Sequence, residues 1–298
     1  MILVTGASGA IGSRLVPSLL EAGRPVRVSS RAPWLLEGRW PAAEVVALDV
    51  MRADTLAPAL RGVTAAYYLV HSMEPGAEGT FHERDVAGAR TFARAAKAAG
   101  VERVIYLSAL GSERDALSEH LWSRQETGRV LAAEGPPLLE LRAAMVISRE
   151  SASFRMLTDL VRRLPAMVLP RWVSTPTQPI ALDDVLAYLE RSLEVPLGEH
   201  HTIVEIGGPD VLTYREMIER AGALVGRRPA LVDVPVLTPR LSSYWTGLTT
   251  SVPPALARPL IEGMSTRTVV TSDAAARLFP DVHPVGFDEA MRRAAEGA

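Results

Sequence analysis

Cysteine is absent from the 298-residue chain, which excludes disulfide frameworks, thiolate nucleophiles, iron–sulfur clusters and cysteine-rich zinc sites together. That composition suits a reducing, cytoplasmic setting. Lysine is nearly absent as well: Lys97 is the single one, and every other basic residue is arginine. Chemistry that requires a second lysine is excluded. With 32 Lys+Arg against 34 Asp+Glu the formal net charge is −2, and no run of basic residues supplies the positive groove of a nucleic-acid binder. No apolar stretch reaches the roughly 18–20 residues that a membrane span needs, although 48% of the residues are hydrophobic. Met1 to Thr5 already reads as a buried strand, so no export leader is expected ahead of the fold.

What is present is an alternation of short apolar runs with longer helical patterns. Strands are expected at Ile2–Thr5, Pro25–Ser29, Glu44–Leu48, Ala65–Val70, Arg103–Ser108 and Leu138–Arg142, nearly all apolar on both faces, as in a parallel sheet covered by helices on both sides. Helices are expected near Ala10–Ala22, Ala53–Leu60, Gly79–Ala99 and Ser118–Ala133, and Gly23, Gly62, Gly100 and Gly135 follow them where a left-handed cap is wanted. Beyond Val146 the rhythm breaks into helices near Ala152–Leu164, Leu182–Leu193 and Tyr214–Val225, with strands near Thr202–Ile206 and Ala230–Val234. The expected architecture is α/β: a doubly wound, Rossmann-type parallel sheet over residues 1–150, and a smaller C-terminal substrate or cap lobe over 151–298 interleaved with it.

Thr5, Gly6, Ala7, Ser8, Gly9, Ala10, Ile11 and Gly12 leave the first strand and open the first helix. Gly6 suits a tight turn, Gly9 a close approach of backbone to a pyrophosphate, and Gly12 close helix packing, while the helix start offers free N–H groups. A glycine pattern in that strand-to-helix context marks a dinucleotide site. Pro17 stands inside the helix, where a kink is expected. The second strand ends in Ser29, Ser30 and Arg31 in place of the acid that would hold an NAD ribose, which points to NADP(H). Arg31, and from the first helix Arg14, are candidate partners of the 2′-phosphate.

These glycines, together with Leu48-Asp49-Val50, Tyr67-Tyr68-Leu69-Val70-His71-Ser72-Met73 and Val104-Ile105-Tyr106-Leu107-Ser108, resemble the atypical short-chain dehydrogenase/reductases. His120 to Glu126, Leu141-Arg142-Ala143-Ala144, Gln178-Pro179-Ile180 with Asp183-Asp184-Val185, and Gly207 to Tyr214 resemble its NmrA-like, YbjT-like branch. The resemblance implies that Asp49 and Val50 border the adenine, that Leu69, Val70, His71 and Ser72 border the ribose and pyrophosphate, and that Ser108 to Leu110 border the nicotinamide.

Typical members of that superfamily pair a tyrosine with a lysine four residues later, which lowers the phenol's pKa. This chain departs from the pattern, because the residue four before Lys97 is Ala93. In the matching place His120 and Arg124 stand four apart on one helix face, making His120 a candidate general acid, with Arg124 and Ser108 beside it. Against this, His120 reads as a plain helix-start residue and Arg124 as a partner of Glu119 or Asp115. His71 reads as lining the cofactor cleft. His82, His200, His201 and His283 show no metal-ligand spacing, and no metal is expected. Asp183 and Asp184 read as a helix N-cap and a first-turn acid. The reading that follows is an NADPH-dependent reductase of a small apolar molecule such as a quinone, enone or ketone, its cleft roofed by Met145, Phe154, Trp172, Tyr244 and Trp245. The alternative is a non-catalytic NADP(H)-binding redox sensor or scaffold, akin to the nucleotide-binding subunit of respiratory complex I. Oligomeric state is left open.

Overall fold

The computed structural model describes residues 1–71, 81–112, 117–234 and 261–296. Its centre is a seven-stranded sheet built from β1 (Ile2–Val4), β2 (Val26–Ser30), β3 (Glu44–Ala47), β4 (Ala65–Tyr68), β5 (Arg103–Ala109), β6 (Leu138–Ala143) and β11 (His201–Ile206). The strands lie in the order β11-β6-β5-β4-β1-β2-β3, and every pairing is parallel. The order reverses between β1 and β4, which opens a crevice at their C-terminal ends where such sheets bind ligands.

Period-two alternation divides the sheet between two cores. Ile2, Val4, Tyr67, Ile105, Leu139 and Leu141 point to one layer, where α1 (Gly12–Glu21) and α6 (Leu182–Arg191) cover them with Leu15, Val16, Leu19, Val185 and Leu189. Leu3, Tyr68, Val104, Tyr106 and Leu138 point to the other, under α2 (Ala53–Ala59), α3 (Phe81–Ala98) and α4 (Glu119–Glu134). Burial of each such large side chain contributes about 1.5–3 kcal/mol, so both faces of the doubly wound sheet are strongly held.

The chain leaves the sheet after β6 and builds a smaller unit. That unit comprises β7 (Val146–Ile147), α5 (Ala152–Arg163), β8 (Ala166–Pro170), β9 (Pro176–Thr177), β10 (Ile180–Ala181), β12 (Leu212–Thr213), α7 (Tyr214–Leu224), β13 (Ala230–Val234) and α9 (Phe287–Glu296). Three two-stranded pairings, β7 with β10, β9 with β12 and β8 with β13, hold it together around Leu157, Met167, Met217 and Phe287. The strand read at Thr202–Ile206 within the smaller lobe is β11, and it pairs with β6 at the edge of the main sheet. A short helix, α8 (Ala274–Leu278), then packs near β11, and Phe279 beyond it meets Tyr188 of α6 edge-on at 5.1 Å. The two units are thus interleaved along the chain.

Two local expectations change. Helix α1 starts at Gly12, two residues later than the pattern suggested; ahead of it Gly6 to Gly9 close a turn through the Gly9 N–H to Gly6 carbonyl bond of 3.0 Å. Helix α6 has Ala181 at its N-cap, so neither Asp183 nor Asp184 caps it; both occupy its first turn, and the Asp184 Oδ2 accepts the Val285 N–H at 3.0 Å. Asp184 therefore ties α6 to the approach to α9.

Candidate functional site

The loop after β1 is shaped by backbone. Thr5 spends its hydroxyl on β4, donating to the Tyr67 carbonyl at 2.9 Å and accepting the Leu69 N–H at 3.1 Å. The ends of β1 and β4 are thereby fixed side by side where the loop departs. Gly6 follows at φ +63°, and a Cβ there would lie 2.5 Å from the Leu69 carbonyl oxygen. A Cβ on Gly12 would lie 2.4 Å from the Gly6 oxygen. No side chain fits at either place, so the loop folds flat against α1, and the amides of Ala10, Ile11 and Gly12 meet no backbone acceptor among the described residues. Ser8 and Gly9 are exposed. A concave backbone with free N–H groups at a helix start suits a pyrophosphate, so the residues present fit a dinucleotide.

At the ends of β2 and β3 the site is more open. The Ser30 hydroxyl accepts the Ala32 N–H at 3.1 Å, and Arg31 is exposed. Arg14 is half-buried on the first turn of α1. Asp49 folds its carboxylate onto its own turn, where Oδ1 accepts the Met51 N–H at 2.9 Å, while Val50 is buried with its Cγ2 close against Gly88 of α3. The Asp49 carboxylate thus shapes the turn after β3.

Past β4 and β5 the site is built from side chains. Val70 and His71 follow β4, and the His71 Nδ1 lies 2.9 Å from the Oδ2 of Asp85 on α3. Ser123 of α4 donates to the same oxygen at 3.2 Å. The Nε2 of His71 is buried without a hydrogen-bond partner among the described residues, an omission that ordinarily costs about 1–3 kcal/mol. The His120 ring packs on that of His71 with centroids 5.1 Å apart and planes at 52°. Burial, then the neighbouring His71 and Arg124, lowers the His120 pKa to about 3, so its ring is uncharged at neutral pH. Burial also lowers the His71 pKa, against the pull of Asp85.

Among the described residues Arg124 does not make its expected pairing with Glu119, and Asp115 lies outside them. Its guanidinium donates to the Leu107 carbonyl and, at 3.5 Å, to the Val70 carbonyl, and it lies over the Tyr106 ring at 4.8 Å. It therefore clamps the ends of β4 and β5 together. Ser108 is buried, and its hydroxyl donates to the Arg124 carbonyl at 3.2 Å, beside the Tyr106 hydroxyl at 2.9 Å. Burial raises the Tyr68 and Tyr106 pKa values far out of the working range, so neither phenol is a proton shuttle.

Asp85 lies in no motif, and Ser123, although within the His120 to Glu126 stretch, has no role legible there; only the packing of α3 on α4 brings them to His71. Two other expected features fall differently. Met145 and Trp172 line an apolar cavity of about 230 Å³ between α5, β8 and α7, whereas Phe154 is buried in the core beside it. Ser72, Tyr244 and Trp245 lie outside the described residues. Among the described residues no group of three His, Asp or Glu is placed to hold a metal ion, and no helix is long and apolar enough to cross a membrane.

The parallel sheet, its reversal point and the glycine cradle define a Rossmann-type dinucleotide-binding protein. Residues 6–147 match the model of the NAD(P)H-binding family. Over 264 residues the chain is 27% identical to the (4-alkanoyl-5-oxo-2,5-dihydrofuran-3-yl)methyl phosphate reductase of Streptomyces griseus, spanning 88% of this chain and 85% of that one. It is 28% identical over 260 residues to the ceramide reductase of Caulobacter vibrioides, spanning 84% and 79%. Among solved structures, the triphenylmethane reductase of a Citrobacter species, complexed with NADP(H), superposes with a TM-score of 0.74 at 17% identity, over 98% of this chain and 99% of that one. The fold and the matched region thus mark an NAD(P)H-binding domain, and the three proteins named here are reductases.

Proposed function

We propose that the protein is an NADPH-dependent reductase of a small apolar molecule carrying a carbonyl or conjugated carbonyl group, such as a quinone, enone or ketone. The observation that carries this reading is the apolar cavity of about 230 Å³, which includes Met145, two residues beyond the end of β6, together with Met156, Leu160, Met167 and Trp172. Pockets of this kind take apolar ligands and leave orientation to a few polar groups. The amides of Ala10 to Gly12 would hold the cofactor's pyrophosphate, and Arg31 its 2′-phosphate. When bound, the nicotinamide supplies the hydride. His120 offers an uncharged imidazole N–H to the substrate oxygen, while Arg124 and Ser108 fix the strand ends around it.

A second reading is a cofactor-binding module without turnover. It draws support from Ser108, whose hydroxyl is already committed to the Arg124 carbonyl at 3.2 Å, and from the low proton affinity of His120. The experiment that separates them is a paired titration with NADPH and NADH, followed by cofactor fluorescence while quinones, enones and ketones are added. NADPH bound more tightly than NADH and oxidised by a member of the panel supports the reductase. Tight binding with no oxidation across the panel overturns that reading in favour of the second.

A further inference from the structure

The interior of the site holds an arrangement that the glycine loop does not need and that His120 by itself does not explain. Asp85 is almost wholly buried, with its side chain 3% exposed, yet it lies between α3 and α4 with its Oδ2 directed at His71. A carboxylate only accepts hydrogen bonds, so the hydrogen in the 2.9 Å contact belongs to the His71 ring and sits on Nδ1. Ser123 donates to the same Oδ2 at 3.2 Å, which holds the carboxylate in place from the other helix. In the neutral ring the lone pair is then on Nε2. That nitrogen is buried and has no hydrogen-bond partner among the described residues, and the ring that packs on the His71 ring is that of His120, at 5.1 Å between centroids. The charged and titratable groups acting on His71 are Asp85 from α3, and Arg124 and His120 from α4.

An imidazole fixed by a buried carboxylate on one nitrogen is set to gain and lose a proton on the other, and the carboxylate steadies the charged form. His120 has no such carboxylate. We propose that the Asp85–His71 pair is the proton reservoir of the site, standing behind His120, with Asp85 as the positioning residue that fixes the His71 tautomer. The inference rests on the reductase reading for its catalytic meaning. In the reductive direction His120 gives its ring proton to the substrate oxygen and takes one on its other nitrogen from the Nε2 of protonated His71, once the rings, which pack at 5.1 Å without a hydrogen bond between them at rest, turn to bring the two nitrogens together. His71 returns to its neutral form on Asp85, and solvent restores the proton when a turn of the ring exposes Nε2, which is buried at rest. One proton enters at His71 and one leaves at the substrate; the two electrons arrive with the cofactor's hydride.

The test is histidine nitrogen NMR on the full chain, labelled at its 6 histidines, with signals assigned through His71→Gln and His120→Gln. The expected wild-type result is His71 in its Nδ1–H tautomer at neutral pH, protonating before His120 on acidification. An Nε2–H tautomer of His71, or protonation of His120 first, overturns the proposal, and neither result depends on any substrate. Asp85→Asn is expected to abolish the tautomer preference and weaken His71 protonation at least tenfold, and Asp85→Glu to restore part of both; unchanged spectra in Asp85→Asn overturn it. With a compound the enzyme reduces, Asp85→Asn lowers kcat about tenfold at neutral pH and flattens its pH profile, with KM and NADPH affinity unchanged. An unchanged kcat overturns the relay. Failure to reduce any compound overturns the reductase reading alone, since the spectra still decide the tautomer and the order of protonation.

Discussion

The glycine loop after β1 and the cluster beneath α4 sit at the same edge of one sheet but are made in opposite ways. The loop is consecutive backbone: Gly6 and Gly12 succeed by having no side chain, and nothing in the loop titrates. The α4 side is made of charged and polar side chains drawn from distant parts of the chain. His71 meets Asp85 and Ser123 there, and one strand further along, the fully buried Glu140 of β6 accepts the Arg142 Nε at 2.7 Å and the His201 Nε2 of β11 at 2.7 Å. Gly128 of α4 leaves the room for that carboxylate, since a Cβ there would stand 2.4 Å from the Glu140 Oε2. Ligand shape is thus set by backbone that tolerates no atoms, and proton affinity by side chains that tolerate no loss of partner.

The contrast breaks most visibly at Glu140. Glu140→Leu leaves Arg142 buried, 7% exposed, without its carboxylate, and removing one partner of a buried pair costs about 3–5 kcal/mol. Urea denaturation at neutral pH measures this; a loss below about 1 kcal/mol would mean that the network is no more than a surface pair. The pH dependence has a definite sign. Burial pushes the Glu140 pKa up, but His201 and Arg142 together overcome it and leave it below its ordinary value. Stability from this group is therefore complete above the carboxylate's unfolded pKa and is lost as pH falls through the lower, folded one. Glu140→Leu should lack that part of the acid transition.

On the loop side the expected effects are on binding. Gly12→Val places a branched side chain where even a Cβ would meet the Gly6 oxygen at 2.4 Å. NADPH affinity should fall by about 100-fold, or about 2.8 kcal/mol, read by fluorescence titration, while the His71 and His120 signals stay in place. Coupled loss at both sites would show that the two are one cooperative unit. A smaller and more selective change is Arg31→Ala, for which NADPH affinity should drop about tenfold, or about 1.4 kcal/mol, with NADH affinity unchanged. Equal losses would remove Arg31 from the 2′-phosphate.

The same contrast explains what could be read from the residue string. Strands β1 to β6 and helices α1 to α4 were legible because unbroken apolar runs are local signals; Gly23, Gly62 and Gly100 take the expected left-handed φ, whereas Gly135 after α4 is extended. The glycine cradle was legible for the same reason. Pairings of two residues, such as Val146–Ile147 with Ile180–Ala181, carry too little periodicity to stand out. The place of β11 beside β6 depends on register with a strand some 60 residues earlier, as the His201–Glu140 contact, 61 residues apart, shows. Asp85 escaped notice because a mid-helix acid reads as solvated surface, and only the packing of α3 against α4 removes it from water. Arg124 was noticed for its spacing from His120, but its work on the Leu107 and Val70 carbonyls follows from where β4 and β5 end.

The smallest change sharpens the comparison most. Ser123→Ala deletes one of the donors to Asp85, a 3.2 Å bond inside the packed α3–α4 interface, and leaves the His71 contact intact. A lost hydrogen bond of this kind costs about 0.5–1.5 kcal/mol, measurable by urea denaturation. Because the hydroxyl favours the ionised carboxylate, its removal leaves Asp85 leaning harder on His71, so His71 should protonate at slightly higher pH than in the wild type. Cofactor affinity should not move, since the glycine loop shares no hydrogen bond with Ser123. If affinity falls with stability, the two regions are mechanically joined through α4, and the separation between a backbone-built and a side-chain-built half of the site fails; if only stability and the His71 midpoint shift, each half is set by its own chemistry.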